Sequence, residues 1–222
     1  MKTPLKTNWK TEGISIIIIV SSLLLAIFFY NNFPDSVPTH WNMEGEADSW
    51  SSSELGAFLM PGIMVLLYFI FHILPLIDPK KKRYEEFGKT YNIFRNIILM
   101  FMFLIYIATS LIALGYDVNI NSVILTLIGV LFLIIGNYMS KIKMNWFFGI
   151  RTPWTLSSEK VWNKTHRLAG KLFFLSGFLF FTISYLPSPF NIGVFLFIVT
   201  SLSLGLMAYS YYIYNKENKN DN

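Results

Sequence analysis

Gly13–Tyr30, GISIIIIVSSLLLAIFFY, is an uninterrupted apolar run without a single charged residue. As a helix rising about 1.5 Å per residue it is about 27 Å long, close to the roughly 30 Å hydrocarbon core of a bilayer. Leu55–Ile77 and Ile120–Met139 repeat the pattern. Of 222 residues, 54% are hydrophobic and 18% aromatic, while 14% are charged, against roughly 25% charged in an ordinary soluble domain. A water-soluble fold could not hide that much apolar surface, so lipid is the solvent that organises this chain. Only helices and closed barrels satisfy their backbone groups in lipid, and these runs lack the alternation of a barrel strand. The expected fold is an all-α integral membrane protein with six transmembrane helices, near 13–31, 55–76, 93–115, 120–139, 169–187 and 190–213.

Charge placement tests this count. Lys2, Lys6 and Lys10, then Lys80, Lys81, Lys82, Arg83, Lys89 and Arg95, then Lys141, Lys143, Arg151, Lys160, Lys164, Arg167 and Lys171, and finally Lys216 and Lys219 make up all 18 Lys and Arg. All fall on the side of the N-terminus. The opposite loops carry none, and the first holds Asp35, Glu44, Glu46, Asp48 and Glu54. Positive residues stay on the side from which the chain is inserted, which places both termini in the cytoplasm. The net charge of +5 then reflects topology and anionic lipid headgroups, and no direct nucleic-acid contact is expected. Lys residues ahead of the first run imitate a signal peptide, but the run is long and ends in Ile-Phe-Phe-Tyr without a small-residue cleavage pattern, so it reads as a retained helix. Zero cysteines exclude disulfides and thiolate chemistry.

Pro61 is expected to kink the second helix and Pro75 to end it. Ser22 with Ala26 and Ser201 with Gly205 are small pairs at helical spacing that allow close helix approach. Residues 1–92 read as a two-helix unit and residues 93–222 as a four-helix unit. Two connecting segments are too long and polar to be simple connectors. The outer one, 32–54, alternates bulky with polar residues from Val37 to Trp50 around Gly45, predicting a short extended hairpin. Its Trp41 and Trp50 beside acids suit a recognition surface, and equally an interfacial aromatic belt. His40, Glu44, Glu46 and Asp48 are ligand types for a divalent ion, but their spacing matches no zinc pattern. In the inner segment, 140–168, Ser157 or Ser158 can cap a helix running into the fifth span. That helix would set Trp162 beside His166, as part of a docking surface or of a lipid-anchored amphipathic turn.

The string Phe148-Gly149-Ile150-Arg151-Thr152-Pro153-Trp154-Thr155-Leu156, followed by Val161-Trp162, Lys164-Thr165-His166-Arg167 and Gly170, closely resembles the signature of the SdpI family of bacterial membrane proteins. Gly136-Asn137-Tyr138, Lys143 and Asn145 look like that family too. Val37–Trp50 is similar to a small domain of unknown function often found ahead of the signature. The resemblance implies an immunity protein of the bacterial cytoplasmic membrane that protects the cell from a secreted toxic peptide. In some members it also implies signalling, by holding a small transcriptional repressor at the membrane. On that reading His40, Trp41, Asn42, Glu44, Asp48 and Trp50 meet the toxin. Asn137, Asn145, Gly149, Arg151, Thr152, Pro153, Trp154, Thr155, Trp162, Thr165 and His166 form the inner signature.

Two other function classes compete. A membrane enzyme acting on lipid or peptide would use His40 with Asp48, or Glu159 with His166, as acid and base; no nucleophile elbow, His-Glu-x-x-His or P-loop accompanies them. A small-solute transporter would need ionisable groups inside its spans, and only His72 and Arg95 approach that description. No catalytic residue, metal or cofactor is expected.

Overall fold

A computed structural model describes residue 5, residues 7–187 and residues 189–220. Lys2 and Lys6, counted above on the basic side, lie outside the described residues. In chain order the elements are α1 (Trp9–Tyr30), β1 (Ser36–Trp41), β2 (Ala47–Ser52), α2 (Ser53–Ile77), a 3-10 turn (Lys81–Arg83), α3 (Tyr84–Ala113), α4 (Ile120–Met139), α5 (Pro153–Ser157), α6 (Glu159–Ile183) and α7 (Phe190–Asn220). Among the described residues, six helices are long and apolar enough to cross a bilayer, and the chain is a multi-pass helical membrane protein with one antiparallel hairpin.

Polar residues start these helices. Asn8 Oδ1 accepts the amides of Lys10 and Thr11, while Thr11 Oγ1 accepts the Asn8 amide. Ser52, Asn119 and Ser158 cap α2, α4 and α6. Each cap satisfies amides that the helix leaves unpaired. Ser158 is a candidate named above, and α6 does run from it into the fifth span.

The expectation that Pro75 ends the second helix is not met: α2 continues through it to Ile77, with Pro61 also internal. A proline removes the amide that would bond the carbonyl four residues earlier, orphaning the Ala57 and Phe71 carbonyls. Tyr106 donates its hydroxyl to Ala57 O at 2.8 Å, and Tyr91 donates to Phe71 O at 2.8 Å. Both tyrosines belong to α3 and are fully buried. Tyr106→Phe should therefore cost about 1–3 kcal/mol by leaving a buried carbonyl unpaired. In a Pro61→Ala background, where an amide returns to that carbonyl, the cost should fall by more than half. Thermal unfolding of the four proteins in detergent measures the cycle; equal costs in both backgrounds would refute the assignment.

The tightest helix pair is α4 with α6. Gly136 and Gly129 of α4 face Gly170 and Gly177 of α6. A Cβ on Gly136 would stand 2.5 Å from Phe174 N and 2.7 Å from Gly170 O, and one on Gly129 3.0 Å from Gly177 O. The two backbones touch, as small residues permit in membranes. Of the small pairs named from sequence, Ser22 and Ala26 are fully buried, whereas Ser201 and Gly205 lie on an exposed face of α7 and a Cβ on Gly205 would meet nothing within 4 Å.

The main core lies toward the basic end, where Phe71, Tyr84, Phe87, Tyr91, Phe94, Met139, Ile142, Met144, Trp162 and Leu206 pack together. There α3 bends at Phe87, whose φ of −126° and ψ of 19° leave the helical range.

Candidate functional site

At the acidic end, the hairpin is built around a tight turn. Asn42 N–H donates to Glu46 O at 2.9 Å and Gly45 N–H to Asn42 O at 3.0 Å, while Asn42 Oδ1 accepts the Glu46 amide at 2.9 Å. Gly45 has φ of +85°, a conformation that glycine adopts without penalty. Asn121, in the first turn of α4, donates to Met43 O at 2.8 Å and so ties the turn to the helix bundle. Val37 anchors the other end, buried against Gly56 of α2.

The outer candidate residues share this hairpin but not one surface. His40 and Asp48 join across the strands by a hydrogen bond between Nδ1 and Oδ1, both exposed. Trp50 is 56% exposed. Glu44 is exposed in the turn. Trp41, by contrast, is half-buried and lines a cavity of about 220 Å³ with Val37, Pro38, Leu55 and Ile105. Asn42 is consumed by the turn. Among the described residues no three His, Cys, Asp or Glu side chains gather to hold a metal ion.

At the basic end, the signature residues interlock. Gly149 has φ of +106°, and a Cβ there would stand 2.5 Å from His166 Nε2, so glycine is required on both counts. His166 is fully buried and stacks on Trp162 with ring centroids 4.0 Å apart. Its Nδ1 lies 2.9 Å from Trp162 O, and its Nε2 accepts the Ile150 amide at 3.0 Å. A carbonyl only accepts, so Nδ1 carries the hydrogen, and His166 is a neutral imidazole holding a loop to a helix. Trp162 Nε1 donates to Ile142 O at 2.9 Å. Thr152 and Thr155 cap α5 reciprocally with Pro153 at its first position. Thr152 Oγ1 also reaches Ser210 Oγ at 3.0 Å, and Trp154 packs on Tyr211, both on α7.

Asn145 is fully buried. Its Oδ1 accepts the amides of Phe147 and Phe148, and its Nδ2 donates to the carbonyls of Lys143 and Phe148. Thr165 is buried with its hydroxyl unpartnered. Arg151 is exposed and donates to Trp146 O at 2.9 Å. Asn137 stands apart on the exposed face of α4. Glu159 and His166 do not meet: Glu159 pairs with Arg83 at 2.7 Å on the surface.

Two groups in the interior escape a motif reading. Asp78, 2% exposed, accepts the Lys80 amide on Oδ1 and the Trp146 amide on Oδ2, with the Tyr84 hydroxyl 3.0 Å away. It is the one acid of the stretch Ile77-Asp78-Pro79-Lys80-Lys81-Lys82-Arg83, and that solitary sign was its only sequence signal. Glu12 lies at the edge of the first apolar run and reads as its polar border. Instead its side chain is 10% exposed, and its Oε2 pairs with Arg95 Nη1 at 2.9 Å and with His72 Nε2 at 3.1 Å, accepting also from Tyr68 at 3.0 Å. Arg95 spends its other donors on Ser15 Oγ at 3.1 Å and Thr11 O at 2.6 Å. A charged cluster therefore links α1, α2 and α3.

Comparison with known proteins agrees with both ends of this description. Residues 141–212 match the SdpI/YfhL protein family, and residues 17–65 match a domain of unknown function, DUF1648. The immunity protein SdpI of Bacillus subtilis (strain 168) is 32% identical over 210 residues, covering 94% of this chain and 98% of its own length. No solved structure matches.

Proposed function

Because the chain belongs to the SdpI/YfhL protein family, we propose that it serves as a membrane immunity protein whose hairpin meets a secreted, cationic, membrane-active peptide. The end-to-end likeness to a protein named for immunity carries this reading. The hairpin's geometry supports it. Trp50 offers flat contact area, and Glu44, Glu46 and Asp48 give a negative rim that attracts a basic peptide. Met43 O bonded to Asn121 pre-orders the turn, so binding costs little further ordering. This reading puts the hairpin outside the cell and both termini in the cytoplasm.

The inner face supports a second part of the proposal, in which exposed Arg151 and Trp146, fixed by a bond to each other's segment, present a basic, aromatic surface to a cytoplasmic transcriptional repressor. A repressor retained on membranes carrying wild-type protein but not Arg151→Glu is the matching observation.

Protection is testable in a sensitive bacterium expressing the chain and challenged with cationic membrane-active peptides. The wild type should raise survival. Trp50→Ala should weaken protection by roughly thirtyfold, the equivalent of about 2 kcal/mol for an aromatic anchor, without lowering the amount in the membrane. A single cysteine at residue 45 should react with an impermeant thiol reagent from outside, and one at residue 151 only after lysis. Unchanged killing by every peptide tried, with the protein correctly inserted, counts against immunity.

A further inference from the structure

The contacts at His72 Nε2 are chemically incompatible as a set. His72 Nδ1 lies 2.8 Å from Tyr68 O; a carbonyl cannot donate, so Nδ1 carries a hydrogen. In the neutral ring Nε2 is then a bare lone pair. It faces Arg95 Nη1 at 3.3 Å, a donor, and Glu12 Oε2 at 3.1 Å, which in a carboxylate is an acceptor. A lone pair at Nε2 suits Arg95 and opposes Glu12. A hydrogen between Nε2 and Oε2 suits Glu12 and removes the acceptor that Arg95 would use. The choice between the two neighbours is one proton.

We propose that Glu12, His72 and Arg95 form a one-proton site inside the membrane-spanning bundle, and that its occupancy decides whether His72 of α2 bonds Glu12 of α1 or Arg95 of α3. Without the proton, ionised Glu12 and Arg95 neutralise each other, neutral His72 accepts from Arg95, and the cluster has no net charge. With it, the hydrogen lies between Glu12 and His72, the cluster carries +1, and His72 is held to α1. The surroundings are consistent with a single exchangeable proton. On α2, Tyr68 is the other titratable group in contact and gives its hydrogen to Glu12 Oε2. On α3, Tyr91 precedes Arg95 by one turn and is committed to Phe71 O. On α1, Ser15 accepts from Arg95 and donates to Asn96 Oδ1 at 2.6 Å. Apart from Tyr68, no further acid or base pairs with the cluster among the described residues. Since α1 leads into the hairpin and α2 leaves it, exchanging the tie alters how the hairpin's two stems are held. The inference does not depend on what the hairpin binds.

The test uses the full chain in lipid nanodiscs with ¹⁵N-histidine, the His72 signal being identified by its loss in His72→Gln. Between about pH 4.5 and 9, Nδ1 should remain protonated throughout, while the bare-nitrogen signal of Nε2 is lost on acidification in a one-proton transition. The cysteine-free sequence accepts spin labels cleanly. With labels at the exposed positions Ile14 and Ile73, or Ile73 and Met100, the α2–α3 distance should lengthen over that same transition while the α1–α2 distance does not. In Glu12→Gln the amide donates to Nε2 without an added proton, so the α2–α3 distance should lose its pH dependence. A bare Nδ1, an Nε2 that never changes state, helix distances indifferent to pH, or pH dependence retained in Glu12→Gln each overturns the proposal. Should Glu12→Gln fail to fold, the wild-type ring nitrogens and distances decide alone.

Discussion

Arg95→Met should destabilise the folded protein by about 3–5 kcal/mol, the cost of removing one partner from a buried ion pair. Arg95 is 1% exposed and Glu12 10% exposed on their side chains. Methionine fills much of the space but offers no donor, so Glu12, Ser15 Oγ and Thr11 O lose a partner together. The telling comparison is the double variant Glu12→Leu/Arg95→Met. If an uncompensated carboxylate causes the loss, removing it as well should recover a large part of the stability, since an apolar pair often replaces a buried ion pair at little cost. Thermal unfolding in one detergent, read by fluorescence-detected size exclusion, ranks the three proteins. A single variant as stable as wild type would show that the cluster does not hold the helices together.

Gly136→Val should be comparably damaging, at about 3 kcal/mol, for a different reason. The atoms that a Cβ would strike belong to the backbone of α6, at 2.5 Å for Phe174 N and 2.7 Å for Gly170 O. No rotamer change relieves such a contact; the helices must separate along their length. Gly205→Val on α7, where a Cβ meets open space, is the control and should stay within about 0.5 kcal/mol of wild type. Equal effects at the two positions would mean that helix propensity, not the α4–α6 contact, sets the cost.

These two sites show where a single sequence stops speaking. The apolar runs, the hairpin between Val37 and Trp50 and the Ser158 cap are local signals, and each is legible because its cause lies within a few residues. Glu12 and Arg95 are far apart in the chain, and only tertiary packing makes them partners. Position 12 also abuts the apolar run, where a charge reads as a border. The glycines of α4 and α6 recur at seven-residue spacing in each helix, but nothing in that spacing names the helix opposite, and the equally suggestive Ser201 and Gly205 face away from the bundle. Asn137 illustrates the same limit at short range. It follows Gly136 directly, yet one residue turns a helix by about 100°, so Gly136 is buried and Asn137 is exposed. The roles of Tyr91 and Tyr106 on α3 are equally illegible, because prolines on another helix set them.

Backbone-to-backbone contact between α4 and α6 has a mechanical corollary. Side chains between helices act as springs that can compress or swing aside, and where Gly129 and Gly136 meet α6 the nearest atoms are backbone, so the pair behaves as a keel. One end of the keel receives the hairpin turn through Asn121, and the other carries the Trp162–His166 stack that grips the Gly149 loop. A push on the hairpin therefore meets a stiff strut running the depth of the bilayer, while compliance is left to α1, α2 and α3, which are joined through side chains, the Ile18–Met64–Leu99 cluster and the Glu12–Arg95 pair among them.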